Sequence, residues 1–207
     1  MVLLDVRSVS MRLCSGAVDF DTVAAAAANV LRAHRLGPAV VVGHSYGTLV
    51  ATRLQRQHAE LVAGLVLLEP VSLLPVWPSL LHNFVYHVPS VRHALRGWRS
   101  LVVWARSVFL AKELAVAETF GRKFLWYKLI LWPQEVPHGS VVALAGCDDL
   151  VPSQLVMESL PKGVQVLYEP DGAHGECLLN FVLADRVAHA VARMLQRLRT
   201  KQKKLCL

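Results

Sequence analysis

The sequence predicts an α/β fold in which helices cover both faces of a mostly parallel sheet. Short runs that are apolar throughout alternate with stretches of helical periodicity, which is typical of strands buried on both faces of a parallel sheet. The 207 residues are 54% hydrophobic, which supplies a large core for one domain and excludes a disordered chain. A serine flanked by glycines also stands between one of the apolar runs and a helical stretch.

The elements follow from these patterns in chain order. Asp19 and Asp21 supply capping residues for the first helix, and Gly37-Pro38 ends it. The predicted helices cover residues 22–34, 48–59, 153–160 and 178–198. The predicted strands cover residues 2–6, 39–42, 64–68, 140–145 and 164–168. The last helix is expected to turn Phe181, Val182, Val191, Met194, Leu195 and Leu198 towards the sheet.

The pattern is interrupted at about residues 71–138. This stretch contains all five tryptophans, and its Lys and Arg residues exceed its acids by five. Helical periodicity is visible over residues 101–110 and 120–130. We therefore expect a helical insertion over the sheet, within a single domain that spans residues 1–207.

The stretch Gly43-His44-Ser45-Tyr46-Gly47 has the spacing of a nucleophile on a sharp strand-to-helix turn. Both glycines are expected to remove collisions with the adjoining strand and helix. Ser45 would lie at a helix N-terminus, where the backbone N–H of Tyr46 favours developing negative charge. The side chain of His44 is expected to point away from the face that carries Ser45.

A serine nucleophile needs a base and an orienting acid, and both are expected in loops at the carboxyl ends of parallel strands. His174 follows a predicted strand in a Gly-flanked loop, and Asp148 and Asp149 follow the strand before it. The chain order Ser, Asp, His is the one this kind of turn requires. The spacing to Pro152 favours Asp148, whereas a count from Gly146 favours Asp149. Glu69, at the end of another strand, is a further candidate for the acid.

Composition excludes several other functions. The chain carries a formal charge of +7 but no nucleic-acid-binding motif, so no nucleic-acid partner is expected. Neither a cofactor nor a metal is expected, and the four cysteines, Cys14, Cys147, Cys177 and Cys206, are predicted to be free thiols. No apolar run reaches the length of a membrane span, and the N-terminus lacks the pattern of a signal peptide. An intracellular, cytoplasmic location is the expectation.

These residues resemble the α/β-hydrolase superfamily over nearly the whole chain. The stretches Glu69-Pro70-Val71, Asn83-Phe84-Val85-Tyr86 and Phe124-Leu125-Trp126 are similar to a subgroup with a large helical cap. The resemblance implies Ser45 as nucleophile, Asp148 as acid and His174 as base of a carboxylic ester hydrolase that acts through an acyl-enzyme. The Trp-rich, basic cap favours an apolar or lipid-like small substrate. Its tryptophans are expected to form the core of the cap, and the alternative is that they make weak contact with a membrane surface.

The chain departs from the superfamily at its N-terminal end. The family's sheet normally begins with several strands before residue 2, and a His-Gly or Gly-rich loop there supplies the second oxyanion N–H. This departure predicts an N-terminally shortened product, or a weakened enzyme, or a second donor recruited from residues 8–10 or from the cap. The alternative function is a catalytically inactive scaffold that binds a ligand or a partner beneath its cap.

Overall fold

The computed structural model describes residues 1–12, 14 and 16–205, with side chains for all of these except residues 93, 99 and 201–205. Cys206, one of the predicted free thiols, lies outside the described residues. Four parallel strands lie side by side in the order of the chain. They are β1 (Ala39–His44), β2 (Val62–Leu68), β3 (Val141–Ala145) and β4 (Gln165–Glu169).

Helices pack on both faces of this sheet because side chains alternate between the faces along each strand. In β2, Leu65 and Leu67 belong to the core cluster that contains Leu49 of the helix after β1. Val66 and Leu68 belong to a second cluster, together with Leu183 and Met194 of the last helix. This architecture confirms the predicted fold class.

The helices that flank the sheet are α1 (Phe20–Ala33), α2 (Tyr46–Gln57), α8 (Ser153–Ser159) and α9 (Phe181–Leu205). The side chain of Asp19 accepts a hydrogen bond from the backbone N–H of Thr22 and so caps α1 as expected. Gly64 of β2 allows α9 to pack closely, because a Cβ there would lie 2.6 Å from the sulfur of Met194.

The predicted insertion, residues 71–138 and hereafter the cap, lies between β2 and β3 in the chain. It contains short helices α3 (Pro78–Leu81), α4 (Val91–Ala94), α5 (Trp98–Ala105), α6 (Leu114–Glu118) and α7 (Trp126–Leu129). Wider π-helical turns at His82–Tyr86, Arg106–Leu110 and Thr119–Lys123 follow three of these helices. The cap side chains Phe84, Val116 and Phe120 join the same core cluster as α2 and the sheet.

The strand predicted at residues 2–6 is wrong. These residues have no regular structure, and Leu3 and Leu4 are exposed. An apolar run becomes a strand only where a neighbouring strand takes up its backbone N–H and C=O groups. Among the described residues, the sheet pairings join β1 to β4 alone. Instead, Asp5 binds Arg12 and Ser10, and a 3₁₀ turn follows at Arg7–Val9.

The face predicted for the last helix is partly wrong. Phe181 and Val182 are 88% and 72% exposed, and Leu195 is also exposed. The residues that pack against the sheet follow one helical stripe: Leu183, Val187, Ala190, Val191, Met194 and Leu198. The predicted set combined residues that do not share one helical face: at about 3.6 residues per turn, Phe181 and Val182 lie well off the stripe that contains Leu183.

No helix in the described part of the chain has both the length and the apolar character needed to cross a bilayer.

Candidate active site

Ser45 lies in a strained turn between β1 and α2. Its backbone has φ 47° and ψ −114°, outside the regions that residues other than glycine prefer, and its N–H donates to the carbonyl of Leu68 at 3.0 Å. The predicted role of Gly43 agrees with the geometry, because a Cβ there would lie 2.7 Å from the carbonyl oxygen of Gly47. The role predicted for Gly47 is wrong, because a Cβ at that position meets nothing within 4 Å.

The structure brings together Ser45, His174 and Asp148 in one hydrogen-bonded chain. The Oγ of Ser45 lies 2.8 Å from Nε2 of His174, and Nδ1 of His174 lies 2.8 Å from Oδ2 of Asp148. An ionised carboxylate only accepts, so Nδ1 carries the proton. Nε2 is then left to accept the hydrogen bond from the Ser45 hydroxyl. His174 is 4% exposed, so bulk water is largely excluded from this contact.

Asp148 and Asp149 point to different partners. The second oxygen of Asp148 accepts hydrogen bonds from the backbone N–H groups of Leu150 and Val151 at 2.8 and 2.9 Å, which fixes the carboxylate opposite His174. Asp149 forms a two-pronged ion pair with Arg106 of the cap, at 3.0 and 2.5 Å. The geometry therefore places Asp148, the acid that the sequence favours, next to the imidazole.

Glu69, the third candidate for the acid, is placed differently again. Its side chain is buried behind the histidine loop, where it accepts hydrogen bonds from the backbone N–H groups of Gly175 and Cys177. Nε2 of His44 donates to the same carboxylate at 2.9 Å. The expectation that His44 points away from the site is wrong, because its ring centroid lies 5.9 Å from that of His174.

Tyr46 begins α2, so its backbone N–H belongs to the first turn, which has no intrahelical acceptor. Its ring packs on Phe20 and Phe120, and burial raises the pKa of the phenol to about 12, with a smaller contribution from Asp19. In the segment predicted to supply a second oxyanion donor, the N–H groups of Val9 and Ser10 already donate to carbonyls of their own turn.

A cavity of about 390 Å³ opens over Ser45 and His174. The cap supplies half of the residues that line it, and Val9 of the N-terminal turn also contributes. One charged side chain, Arg106, borders it, and its charge is paired with Asp149. The apolar residues around the cavity are Val9, Val71, Leu80, Phe84, Val102, Leu110, Val116, Phe120, Leu150 and Leu178. Such a lining suits an apolar group that is held next to the Ser45 hydroxyl.

One group of side chains has the composition of a metal site. Ligand atoms of His44, Glu69 and Cys177 lie within 4.8 Å of one another. However, the carboxylate of Glu69 already accepts three hydrogen bonds. Burial and the nearby Glu69 raise the pKa of the Cys177 thiol, which favours the neutral form that does not bind metals. The present geometry is that of a hydrogen-bonded cluster.

Two contacts were missed from the sequence. No sequence pattern indicated that Arg106 binds Asp149, because a basic residue on an amphipathic helix usually faces solvent. The bonds from Glu69 to the histidine loop had a partial signal, since Glu69 follows a strand and the carboxyl ends of parallel strands meet at one edge of a sheet. Both contacts depend on the packing of segments that lie far apart in the chain.

The parallel sheet, the strained serine turn and the Ser45–His174–Asp148 chain together define the class of α/β hydrolases. The chain belongs to the Alpha/beta hydrolase family, because the sequence model of that family matches residues 3–193. None of the curated proteins searched matches the sequence.

Solved structures support the same fold. An esterase from Thermogutta terrifontis superposes with a TM-score of 0.61 at 18% identity, covering 93% of this chain and 78% of its own. A structure described among carboxylesterases of Nitrososphaera gargenis gives a TM-score of 0.61 at 13% identity, covering 94% and 79% of the two chains. A bacterial membrane phospholipase A gives a TM-score of 0.61 at 17% identity, covering 94% of this chain and 69% of its own. At these identities the likeness establishes the fold.

Proposed function

We propose that this α/β hydrolase cleaves an ester-type bond of an apolar or lipid-like small substrate through an acyl-enzyme. The observation that carries the proposal is the 2.8 Å contact between Ser45 Oγ and His174 Nε2 on the wall of an apolar cavity. A serine hydroxyl becomes a useful nucleophile when a base accepts its proton as it attacks.

In the proposed reaction Ser45 Oγ attacks the substrate carbonyl carbon, and His174 Nε2 takes the hydroxyl proton. The electrons of the carbonyl π bond move to the oxygen. The backbone N–H of Tyr46, at the N-terminus of α2, stabilises the resulting oxyanion. Collapse of this intermediate breaks the ester C–O bond, and His174 returns the proton to the leaving oxygen. A water molecule then attacks the acyl-enzyme, with His174 again as base, and releases Ser45. Asp148 holds the tautomer of His174 throughout.

The cavity lining favours an apolar acyl or alcohol group over a charged one. A charged group in this cavity would lose hydration without gaining a free counter-ion, because Arg106 is already paired with Asp149. We therefore expect kcat/KM for p-nitrophenyl esters to rise with acyl length until the cavity is full. A flat dependence on chain length would contradict the proposed substrate class.

The test of the chemistry is covalent labelling with a fluorophosphonate. We expect wild type to be labelled and Ser45→Ala to remain unlabelled. Ser140→Ala is the control, because Ser140 is buried and its hydroxyl has no hydrogen-bond partner in the described part of the chain. Equal labelling of wild type and Ser45→Ala would overturn the proposal.

The alternative is a scaffold that binds an apolar ligand beneath the cap without turning it over. The engaged N–H groups of Val9 and Ser10 favour it, because losing one of two oxyanion donors costs on the order of 10²–10³ in rate. A wild-type protein that unfolds cooperatively and binds apolar ligands, but neither labels nor hydrolyses esters, would support this alternative over the hydrolase.

We also propose that the cap contacts an anionic lipid surface, from which a lipid-like substrate would enter. Among the exposed apolar side chains of the cap, five lie within residues 91–109: Val91, Leu95, Trp98, Leu101 and Phe109. Arg92 and Arg96 are exposed in the same segment, and no acidic residue occurs between residues 70 and 112. Exposed apolar groups with a one-sided positive charge suit a layer of anionic headgroups.

Vesicle co-sedimentation tests this contact. We expect wild type to bind phosphatidylcholine vesicles that contain phosphatidylserine more strongly than vesicles that lack it. Trp98→Ser should weaken binding. Trp132→Ser should leave binding unchanged, because Trp132 is exposed but lies outside residues 91–109. Equal binding by the two variants, or no binding by wild type, would contradict the proposal.

A further inference from the structure

A second buried carboxylate, besides Asp148, stands next to the histidine loop. Glu69 directly follows β2 and is only 1% exposed. Its backbone adopts φ 46°, a left-handed conformation that is costly for a residue other than glycine, and its N–H donates to the carbonyl of Ala143 in β3. Burial of a carboxylate is itself unfavourable unless the carboxylate is well paired. The strained backbone and the buried carboxylate are both unfavourable, so their combination at Glu69 indicates a role that compensates for them.

The partners of this carboxylate are mainly backbone groups of the histidine loop. Oε2 of Glu69 accepts a hydrogen bond from the N–H of Gly175 at 2.6 Å, and Oε1 accepts one from the N–H of Cys177 at 3.3 Å. Oε2 also accepts from Nε2 of His44 at 2.9 Å. Gly175 directly follows His174, so Glu69 fixes the backbone that carries the imidazole, whereas Asp148 binds the ring itself.

Glu69 is an anion in this setting. Burial raises the pKa of its carboxyl, but the hydrogen bond from His44 and the charge of His174 outweigh burial, so the pKa lies below its ordinary value of 4.5. The other titratable groups around the loop are Asp148, Cys177 and Glu176, whose carboxylate accepts a hydrogen bond from the N–H of Ala173. A negative charge therefore lies close to His174 in addition to that of Asp148.

We infer that Glu69 is a positioning residue for His174, fixing its loop and stabilising the positive charge that the imidazole gains from the Ser45 proton. The inference rests on the proposed hydrolase function, because only a base that takes up a proton needs such support. Glu69 does not line the cavity over Ser45; it acts through its hydrogen bonds to Gly175 and Cys177 and through its negative charge near His174.

The first test compares Glu69→Gln with Glu69→Asp and with wild type. The readout is the rate of fluorophosphonate labelling of Ser45 as a function of pH. Gln is nearly isosteric but uncharged, so the rate should fall by about 10²-fold and the acid limb of the profile should move to lower pH. Asp keeps the charge, so its acid limb should stay at the wild-type position even if its rate is reduced. Glu158→Gln, an exposed acid, is the control.

A purely structural role would lower the rate of Glu69→Gln equally at all pH values. An unmoved acid limb in Glu69→Gln, or an equal shift in Glu69→Asp, would therefore overturn the inference. If wild type itself fails to label, the proposed function fails instead, and a second measurement decides on Glu69 without any activity.

That second measurement is the carboxyl titration of Glu69, followed by carbon-13 NMR in wild type and in His174→Gln. Because the charge of His174 lowers the pKa of Glu69, its removal should raise that pKa. Amide exchange at Gly175 and Cys177 should also be faster in Glu69→Gln than in wild type. An unchanged pKa in His174→Gln would contradict the inference even for a protein with no esterase activity.

Discussion

Asp148 and Asp149 are neighbours in one turn, yet they serve two different regions of the molecule. Asp148 faces the carboxyl ends of the strands, a region hereafter called the rim, where it holds His174. Asp149 faces the cap, where it holds Arg106. Cap side chains bind the same turn at two further points, since Asn83 donates to the carbonyl of Asp149 and Ser79 to that of Leu150.

The two regions differ in how tightly they are built. In the rim, the side chains of Asp148 and His174 are buried, and hydrogen bonds of 2.8 to 3.0 Å join Asp148, His174, Ser45 and the carbonyl of Leu68. The cap consists of helices of four to eight residues with wider turns between them, and it exposes large apolar side chains. We therefore expect rim substitutions to change the rate and cap substitutions to change substrate binding and stability. The predictions below test this division from the largest expected effect to the smallest.

Asp148→Asn should have the largest effect. Asn can donate to Nδ1 of His174, which would place the imidazole proton on the wrong nitrogen, and kcat should fall by about 10³–10⁴-fold. Ester hydrolysis by wild type, Asp148→Asn and Asp149→Asn measures this. A loss for Asp149→Asn as large as that for Asp148→Asn would show that the rim and the cap are not separate.

Gly43→Ala should come next, with a loss of stability. Its Cβ would lie 2.7 Å from the backbone oxygen of Gly47, and overpacking of this kind costs about 1–3 kcal/mol. Gly47→Ala is the matched control, because its Cβ meets nothing within 4 Å and alanine is the better helix former by up to about 1 kcal/mol. Urea unfolding measures both variants. Equal destabilisation by both would contradict this account of the turn.

The ion pair between Arg106 and Asp149 should contribute less than the rim contacts do. The two side chains are 10% and 28% exposed, and a double-mutant cycle with Arg106→Met and Asp149→Asn should give a coupling of about 0.5–3 kcal/mol. The single variants should raise KM more than they lower kcat, because the cap lines the cavity while Asp148 keeps its contact.

A second ion pair supplies the control for that cycle. Arg56 of α2 pairs with Glu135 of the cap at 2.5 Å, and both side chains are more exposed, at 27% and 44%. Solvent screening should reduce its coupling to below that of the Arg106 pair. The division between rim and cap fails if the Arg56 pair couples more strongly, or if breaking the Arg106 pair lowers kcat alone.

Local patterns were enough to predict the parallel sheet and the order of its elements. Apolar runs and capping residues placed β1 to β4 within a few residues of their observed bounds. They failed at residues 2–6, because a strand depends on a neighbour that no local pattern reveals. They also assigned Phe181 to the buried stripe of α9, although at about 3.6 residues per turn it lies off the face that Leu183, Val187 and Met194 share.

For the candidate site, the chain order predicted that Ser45, His174 and one of two aspartates lie together at the carboxyl ends of the strands. The choice between Asp148 and Asp149 rested on spacing alone, whereas in the structure it depends on Arg106, which lies more than forty residues away in the chain. The inward turn of His44 depends in the same way on Glu69 at the end of another strand. Contacts between distant segments are set by packing, and sequence periodicity does not report them.

The smallest predicted effect on activity lies outside both regions, at the N-terminus of α1. A hydrogen bond from the Thr22 side chain, and then one from the Thr22 backbone, lower the pKa of Asp19 below 3.8. The unfolded chain therefore binds more protons than the folded one as the pH falls past 3.8. The stability that Asp19 adds is present above that pH and is lost as the pH falls through the folded pKa.

Asp19→Ala should cost about 1 kcal/mol at neutral pH, because the helix loses its N-cap. Asp19→Asn keeps the acceptor without the charge, so its unfolding free energy should approach that of wild type as the solution is acidified. Urea unfolding at pH 7 and at more acidic pH measures both variants. Neither should change the labelling of Ser45, since Asp19 belongs to neither the rim nor the cap. A change in labelling would mean that α1, through the packing of Phe20 on Tyr46, also controls the serine turn.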